Sequence, residues 1–264
     1  MGKIRRLQRI FRDDGKTVIT AMDHGSTSGP VPGIVDIEQT IRTVVEAGTD
    51  AIICNIGVAR KYEEAFGRAG LIIRMDFPYT EYSYTRHDGQ VYLTLEEAIR
   101  VGADAVIFSG GPDVTNQDPE LERAMMHSLT TLGRACDRYN IPLVAEMYPG
   151  GWNPPPEAIN VESLKLSARL AAEYGADMLK MPYVRDYEEV VEGTWLPIVI
   201  LGGEKTDKEE TFFAGIRDAI EIGVKGVAIG RNIFGHKNPT GVVHLLNDII
   251  HEGVDLETAM KHIK

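Results

Sequence analysis

Short apolar runs alternate with longer amphipathic stretches along the chain. The pattern is clearest in four segments, VVEAGTDAIICNIG, AIRVGADAVIFSG, LAAEYGADMLKMPY and AIEIGVKGVAIGR. In each segment the amphipathic stretch ends at a glycine: Gly48, Gly102, Gly175 and Gly223. Glycine readily adopts the left-handed conformation that ends a helix. Because an apolar run follows two or three residues later, each segment predicts a helix followed by a buried strand.

Weaker copies of this pattern predict four further strands, in KTVITAMD, GLIIRMD, IPLVAEMYP and LPIVILGG. Helices are predicted over 37–47, 59–66, 94–101, 119–139, 161–174, 185–192, 208–222 and 239–252. Strands that alternate with helices indicate a parallel sheet. Strands without a clean polar face indicate that both faces of this sheet are covered.

Eight such units in about 230 residues fit a closed (β/α)₈ barrel, which typically has about 250 residues. The alternative is an open doubly wound sheet, but the first predicted strand is not followed by G-x-G-x-x-G. We therefore predict an α/β fold, with one (β/α)₈ TIM-barrel domain over residues 1–264. This domain has an N-terminal extension and a final amphipathic helix in DLETAMKHI.

The composition narrows the class of protein. A formal charge of −11, from 28 basic and 39 acidic residues, argues against a nucleic-acid partner. Cys54 and Cys136 are predicted to be reduced packing residues. The basic start MGKIRRLQRIFRDDGK lacks the apolar core of a signal peptide, and the sequence contains no apolar stretch that approaches a membrane span. We expect a cytoplasmic protein without a membrane partner.

Lys180 is the first candidate for chemistry, because it lies inside the apolar run ADMLKMPY. In a barrel enzyme the site forms at the carboxyl ends of the strands. Loss of hydration in an apolar strand favours the neutral amine, which is a nucleophile toward carbonyls. Attack on a ketone leads through a carbinolamine to an iminium, which withdraws electrons when a C–C bond breaks. Alternatively, Lys180 reaches the strand end and pairs with a structural carboxylate.

The predicted seventh and eighth strands end in LGGEK and AIGRN. Barrel enzymes often bind phosphate between the loops that follow these two strands. Gly202, Gly203 and Gly230 leave backbone N–H groups accessible, and GRNIF predicts a helical turn. Arg231 adds a fork of hydrogen-bond donors. We predict a phosphate site here, although two ordinary turns would also explain the glycines.

Proton transfer needs further groups near the amine. Tyr148 ends the fifth predicted strand, and Asp23 follows the first, so each is a candidate acid or base. Tyr148 could instead only hydrogen-bond, and Asp23 could only form a turn. Glu146 shares strand parity with Tyr148, which predicts that both face the interior. A buried Glu146 would pair with Lys180 or Arg231, or titrate, and whether it is catalytic or structural stays open. The histidines and cysteines form no H-E-x-x-H or closely spaced set, so we predict no metal.

Taken together, these motifs resemble those of the archaeal-type class I aldolases. The matching segments are RLQRIF, KTVITAMDHGSTSGPVPGIVDI, GADAV, EMYPGG, GADMLKMPY, LGGEK and GVAIGRNIFGH. The family includes fructose-bisphosphate aldolase and 2-amino-3,7-dideoxy-D-threo-hept-6-ulosonate synthase. The resemblance implies a Schiff base on Lys180 without a metal or other cofactor, proton donation by Tyr148 and proton acceptance by Asp23. It also implies a homo-oligomer, often a ring-like decamer.

The same resemblance places the substrate phosphate at Gly202, Gly203, Gly230 and Arg231. The other candidate substrate-binding residues are His24, Gly25, Ser26, Thr27 and Glu146. The expected substrate is a phosphorylated ketose, cleaved to or built from dihydroxyacetone phosphate and an aldehyde. Both glycolysis and aromatic amino acid biosynthesis are pathways in which family members act.

Three features depart from the family pattern. Gly150 stands where the synthase branch has arginine, and Glu146 stands where the fructose-bisphosphate branch has tryptophan. The segment RMDFPYTEYSY places Arg74 and Asp76 at a strand end, in place of a Gly/Ser-rich stretch. These changes leave the Schiff-base chemistry intact and leave the substrate open.

Two other functions fit the same sequence. A sugar-phosphate isomerase would use Glu146 as an enolising base, with Lys180 acting through its charge alone. A non-catalytic barrel would bind a metabolite or serve assembly, as the altered segments 74–84 and 148–156 suggest.

Overall fold

The computed structural model of this protein is a closed barrel of eight parallel strands. It describes residues 2–76, 80, 82, 89–115, 118–150, 155–203 and 205–264. The strands are β1 Thr17–Ala21, β2 Ala51–Cys54, β3 Gly70–Arg74, β4 Ala105–Gly110, β5 Leu143–Met147, β6 Met178–Met181, β7 Ile198–Leu201 and β8 Gly226–Ile229. Each strand pairs with the next along the chain, and β8 pairs with β1. The predicted (β/α)₈ barrel is confirmed.

The helices follow the strands in the predicted order. They are α1 Lys3–Leu7, α2 Gly25–Ser28, α3 Ile37–Glu46, α4 Ile56–Lys61, α5 Leu95–Arg100, α6 Pro119–Tyr139, α7 Val161–Glu173, α8 Glu188–Glu192, α9 Glu209–Glu221, α10 Arg231–Phe234, α11 Pro239–Asn247 and α12 Leu256–Ala259. Short 3₁₀ turns cover Glu63–Phe66, Pro156–Ala158 and Met260–His262, and α11 continues as a π-helical turn over Asp248–Glu252. The predicted helix 59–66 is instead two elements, because the chain leaves the helix at Tyr62. The helices α1 and α2 were missed, since four or five residues show no helical period.

The four glycines that end the repeated helices have the predicted left-handed backbone. Their φ angles are +95° at Gly48, +82° at Gly102, +97° at Gly175 and +105° at Gly223. The repeated sequence pattern therefore reports a repeated helix-to-strand turn.

The barrel interior is apolar toward the amino ends of the strands and polar at their carboxyl ends. The apolar layers are formed by Ile10, Ile19, Ala21, Ala51, Ile53, Ile72, Ala105, Ile107, Val144, Met178, Val199 and Ala228. Side chains alternate along a strand, so the residue two positions further along faces the interior again, nearer the carboxyl end. In this next layer the side chains on six successive strands are polar: Asp23, Asn55, Arg74, Ser109, Glu146 and Lys180.

The repeated G-x-D pattern has a structural cause at the opposite end of the barrel. Its aspartates, Asp50, Asp104 and Asp177, precede β2, β4 and β6. Each accepts a backbone N–H from the start of the preceding strand, at 2.7 Å from Val18, 3.0 Å from Leu71 and 2.9 Å from Leu143. These carboxylates therefore fix the stagger between neighbouring strands.

The basic N-terminal extension pairs with the same three aspartates. Lys3 lies 2.9 Å from Asp177, Arg9 lies 2.9 Å from Asp104 and Arg12 lies 2.5 Å from Asp50. Between these ion pairs, Ile10 is fully buried in the interior cluster. The extension thus closes the amino-terminal end of the barrel with an apolar plug inside a set of ion pairs.

Several other predictions can be placed on the structure. Cys54 and Cys136 are free and buried, as predicted. Within the described ranges, the structure contains no helix with the length and apolar character needed to cross a membrane. The length of the segment 79–93 predicts a loop that serves as a lid or an oligomer contact, but much of it lies outside the described residues, as does the 151–154 part of the loop 148–156.

We expect the substitution Asp104→Ala to lower the free energy of unfolding by about 2–3 kcal/mol, because it leaves the buried Leu71 N–H without its acceptor. Asp137→Ala is the matched control, since its carboxylate is 76% exposed and also pairs with the extension, through Lys3. The control should cost less than about 1 kcal/mol. Urea denaturation measures both, and equal small losses would contradict the role given to Asp104.

Candidate active site

Lys180 projects into the polar layer at the carboxyl end of the barrel and is 5% exposed. The strand register pairs it with Glu146 on β5. Residues in register on neighbouring strands lie about 4.8 Å apart, which brings the two side chains into contact. The Lys180 Nζ atom lies 2.5 Å from Glu146 Oε1. The amine is therefore held by a side chain of the adjacent strand.

Arg74 lies at the centre of the polar layer, among three carboxylates. Its Nη2 atom is 2.6 Å from Glu146 Oε2 and 2.7 Å from Asp23 Oδ2. Its Nη1 atom is 3.3 Å from Asp76 Oδ1 and donates a hydrogen bond to Ser109 Oγ at 2.7 Å. Ser109 Oγ in turn donates to Glu146 Oε2 at 2.7 Å. The guanidinium thus joins the carboxylates of Asp23 and Glu146 into one buried network.

Charge within this network controls the ionisation of the carboxylates. Burial by itself raises the pKa of Glu146, but the positive charges of Lys180 and Arg74 outweigh it and hold that pKa well below its usual range. The pKa of Asp23 is also lowered, since Arg74 and Lys180 again outweigh the effect of burial. Both carboxylates are therefore ionised at neutral pH.

The prediction of purely apolar surroundings for Lys180 is wrong, whereas the predicted pairing of Glu146 with Lys180, one of the roles left open for Glu146, is confirmed. A strand sequence reveals the neighbours along its own strand, whereas the nearest charged group comes from the next strand through the register. The alternative prediction, that Lys180 reaches the strand end and pairs with a carboxylate there, is correct about the type of contact but not about its location. The ion pair is buried inside the barrel, with both side chains less than 10% exposed.

A cavity of about 270 Å³ opens at this end of the barrel and brings most predicted site residues together. Its lining includes the predicted residues Asp23, His24, Thr27, Glu146, Tyr148, Lys180, Gly202, Gly203, Gly230 and Arg231. Gly25 and Ser26 belong to α2 and are not part of this lining. Five lining residues were not among the predicted site residues: Ala21, Ser28, Arg74, Leu201 and Ala228. Strand parity could have revealed Arg74, which lies two positions after the interior residue Ile72.

The loop after β1 is fixed through its backbone. The carbonyl oxygen of Asp23 accepts hydrogen bonds from Asn55 Nδ2 at 2.7 Å and from Ser26 Oγ at 3.1 Å. Asn55 belongs to the polar layer, and Ser26 belongs to α2. These two bonds orient the Asp23 carboxylate toward Arg74.

His24 lies beside Asp23, with 3.5 Å between its Nδ1 atom and Asp23 Oδ1, and its ring also packs close to Gly230. Burial lowers the pKa of His24, and the nearby charges of Lys180 and Arg231 lower it further, against the opposing effect of Asp23. The imidazole is therefore neutral at pH 7. Its ring packs edge-to-face on Phe234, with the ring centroids 5.3 Å apart.

The end of β8 requires glycine for steric reasons. A Cβ atom added at Gly230 would lie 2.5 Å from the Ala21 carbonyl oxygen and 2.5 Å from a carbon of the His24 ring. At Gly203 the φ angle is +60°, and an added Cβ would have nothing within 4 Å. The first glycine allows β1 and β8 to approach closely, and the second leaves the backbone open to the cavity.

The loops after β7 and β8 are tied together by Asn232 in α10. Its Nδ2 atom donates to the Gly202 carbonyl oxygen at 3.0 Å, and its Oδ1 atom accepts from the Thr206 N–H at 3.0 Å. Arg231 precedes it as the first residue of α10, so the predicted helical turn in GRNIF is confirmed. These contacts hold Arg231 and the two-glycine turn on the same side of the cavity.

In the described part of the chain, no group of three or more histidine, cysteine, aspartate or glutamate side chains is arranged to hold a metal ion.

We expect Arg74→Met to lower the free energy of unfolding by about 3–5 kcal/mol, because three buried carboxylates lose their shared cation. Arg42→Met is the matched control, since Arg42 is 41% exposed and pairs with Glu38 on the surface of α3. That control should cost no more than about 1 kcal/mol. Chemical denaturation distinguishes the two, and a small loss for Arg74→Met would contradict the network.

The lowered pKa values also predict how stability depends on pH. A carboxylate whose pKa is lower in the folded state stabilises the protein above its unfolded pKa, 4.5 for Glu146 and 3.8 for Asp23, and that stabilisation is lost as the pH falls. The free energy of unfolding should therefore decrease as the pH falls from about 5 to about 3. In Glu146→Gln this decrease should be shallower. An identical slope in the wild type and the variant would rule out a contribution from Glu146.

Comparison with known proteins extends the likeness from the site to the whole chain. A model of DeoC/LacD family aldolases matches residues 17–236. The chain is 36% identical over 263 residues to 2-amino-3,7-dideoxy-D-threo-hept-6-ulosonate synthase 1 of Archaeoglobus fulgidus, covering 99% of this chain and 96% of the relative.

Solved structures give the same result. The crystal structure of an archaeal fructose 1,6-bisphosphate aldolase superposes with a TM-score of 0.85 at 29% identity, over 96% of this chain and 100% of that one. An archaeal fructose-1,6-bisphosphate aldolase with its catalytic lysine covalently bound to the carbinolamine intermediate superposes with a TM-score of 0.83 at 28% identity, over 94% and 99% of the two chains. The predicted resemblance is confirmed. On its barrel and these matches, the chain belongs to the DeoC/LacD family of aldolases.

Proposed function

We propose that this aldolase forms an imine between Lys180 and a phosphorylated ketose. The observation that carries the proposal is the buried amine at the end of β6, which lines a cavity of about 270 Å³ together with Arg231 and three glycines. The cavity thus offers a nucleophile at one side and phosphate-binding groups at another.

The proposed reaction begins when Lys180 Nζ attacks the ketose carbonyl and forms a carbinolamine. Loss of water yields the iminium, and Tyr148 is the proposed acid that later protonates the enamine. Asp23 then accepts the C4 hydroxyl proton, and the C3–C4 bond breaks. Its electron pair moves into the iminium and forms an enamine, which is protonated and hydrolysed to release dihydroxyacetone phosphate. In the synthetic direction the enamine attacks an aldehyde.

The charges of the site favour one orientation of the substrate. The ionised carboxylates of Asp23 and Glu146 lie at the barrel centre and repel a phosphate group. Arg231 and the backbone of Gly202, Gly203 and Gly230 line another part of the cavity. We place the phosphate there, with the carbonyl toward Lys180 and the acceptor half toward Asp23.

The relatives suggest two substrate branches. The 36% identity to a heptulosonate synthase exceeds the 29% identity to a fructose-bisphosphate aldolase structure, which supports the first branch and a place in aromatic amino acid biosynthesis. We propose dihydroxyacetone phosphate as the released or transferred half. The cytoplasmic location, the homo-oligomer and the ring-like decamer stay predictions.

The isomerase alternative is less well supported by the site geometry. It requires Glu146 to take a proton from carbon while Lys180 keeps its charge. While that charge stays 2.5 Å away and Arg74 contacts its other oxygen, Glu146 is too weak a base to take a proton from carbon.

Borohydride trapping tests the proposal. We expect dihydroxyacetone phosphate, or a ketose from a phosphorylated panel, to become covalently attached at Lys180, located by peptide mass spectrometry. Lys180→Arg should lose the adduct and lower carbon–carbon cleavage by about 10,000-fold or more. Lys165→Arg is the control, because this lysine forms exposed ion pairs on α7 and should leave both readouts unchanged. Turnover with an unmodified Lys180, or partial activity in Lys180→Arg, would contradict the imine and favour the isomerase.

A further inference from the structure

Glu146 lies beside the proposed nucleophile and is held by contacts within the protein. Both carboxylate oxygens of Glu146 contact groups of the protein: Oε1 meets Lys180 Nζ at 2.5 Å, and Oε2 meets Arg74 Nη2 at 2.6 Å and Ser109 Oγ at 2.7 Å. The residue is 4% exposed, so one of its oxygens points at the reacting nitrogen and the other is anchored in the barrel.

We infer that Glu146 is a catalytic residue that takes the proton from the Lys180 ammonium and returns it to the carbinolamine hydroxyl. We further infer that Arg74 is the positioning residue that holds Glu146 in place. This inference rests on the proposed function, because it assigns a role within imine formation on Lys180. It adds a relay for the nitrogen's protons to the roles proposed for Tyr148 and Asp23.

The proton balance of imine formation requires such a group. An ammonium and a ketone give an iminium and water, so two protons move from nitrogen to oxygen. Glu146 Oε1 takes the first proton, which frees the nitrogen lone pair for attack on the carbonyl carbon. The second proton passes from the resulting N–H to the new alkoxide. The protonated Glu146 then gives its proton to the carbinolamine hydroxyl, which leaves as water as the lone pair forms the C=N bond.

The geometry suits this relay in both directions. Within the resting ion pair, the Lys180 charge keeps Glu146 ionised and ready to accept a proton. Once that proton has crossed the 2.5 Å contact, the lysine charge disappears and no longer opposes protonation of Glu146. Substrate that fills the cavity excludes water, and burial favours a neutral pair over a charged one. The iminium restores a positive charge beside the carboxylate.

Arg74 limits the motion of Glu146. It holds Oε2, while Ser109 donates to the same oxygen, so the free direction of the carboxylate is toward the amine. The strand register supports this row, because Ser109, Glu146 and Lys180 are in-register neighbours on β4, β5 and β6. Three interior side chains of adjacent strands thus lie in line with the reacting atom.

The test separates imine formation from later steps. Wild-type enzyme and Glu146→Gln are mixed with dihydroxyacetone phosphate, quenched into borohydride at increasing times and measured by intact mass. The adduct on the variant should form about 100-fold more slowly than on the wild type, the usual size of a proton-transfer contribution. Glu146→Asp, which keeps a carboxylate, should recover part of the rate. Glu189→Gln, on the exposed surface of α8, is the control and should react at the wild-type rate.

The outcomes distinguish this inference from the proposed function. If the wild type forms no adduct, the proposed function fails. If the wild type and Glu146→Gln form the adduct at the same rate, only the relay is overturned. Should Glu146→Gln not fold, Glu146→Asp decides: a rate reduced by about 10-fold supports the relay, because the shortened side chain retreats from Nζ, and an unchanged rate overturns it.

Arg74 is tested by a double-mutant cycle on the same imine rate. If Arg74 acts through Glu146, Arg74→Lys slows imine formation in the wild type but adds little in the Glu146→Gln background. Equal effects in both backgrounds would assign Arg74 a merely structural role.

Discussion

A single buried guanidinium organises the reactive end of this barrel. Asp23, Asp76 and Glu146 all contact Arg74, and their charges would repel one another without it. Removing charges from water is costly, and the cost is recovered only where geometry and hydrogen bonding are good. Here the eight-stranded closure supplies that geometry, since β1, β3, β4 and β5 each present a partner at the same height. The site is therefore a charged layer set on an apolar one.

This layer explains how the proposed roles can coexist in a small volume. Asp23 contacts Arg74, and Lys180 contacts Glu146, so proton transfers at the substrate hydroxyl and at the imine nitrogen are electrostatically linked. The neutral His24 lies beside Asp23, and the charge of Arg231 is close enough to lower its pKa. A ketose phosphate laid across the cavity would meet positive charge at its phosphate end and negative charge at its reacting hydroxyl. This distribution of charge favours one orientation of the bound sugar.

Much of this arrangement could be predicted from the sequence. Glycine-ended helices and apolar runs revealed the strands, and the residues that end those strands included Lys180, Tyr148 and Asp23. What a strand sequence lacks is its register with its neighbours. The contact between Lys180 and Glu146 depends on that register, as does the meeting of Arg74 with Asp23, 51 residues earlier in the chain. Arg74 was visible as a strand end, yet its charge made an interior position difficult to predict from one strand alone.

The basic extension at the other end has a consequence for how the molecule is made. Arg12 pairs with Asp50, which lies 38 residues later in the chain, whereas Lys3 pairs with Asp177, which lies 174 residues later. In a nascent chain emerging from the ribosome, the basic residues of the extension are therefore present long before Asp177 has been synthesised. Contacts of such long range form late, because their loops must close first. The extension that closes the amino-terminal end of the barrel is synthesised before the strands. Its ion pairs are complete only when the sixth strand has been synthesised.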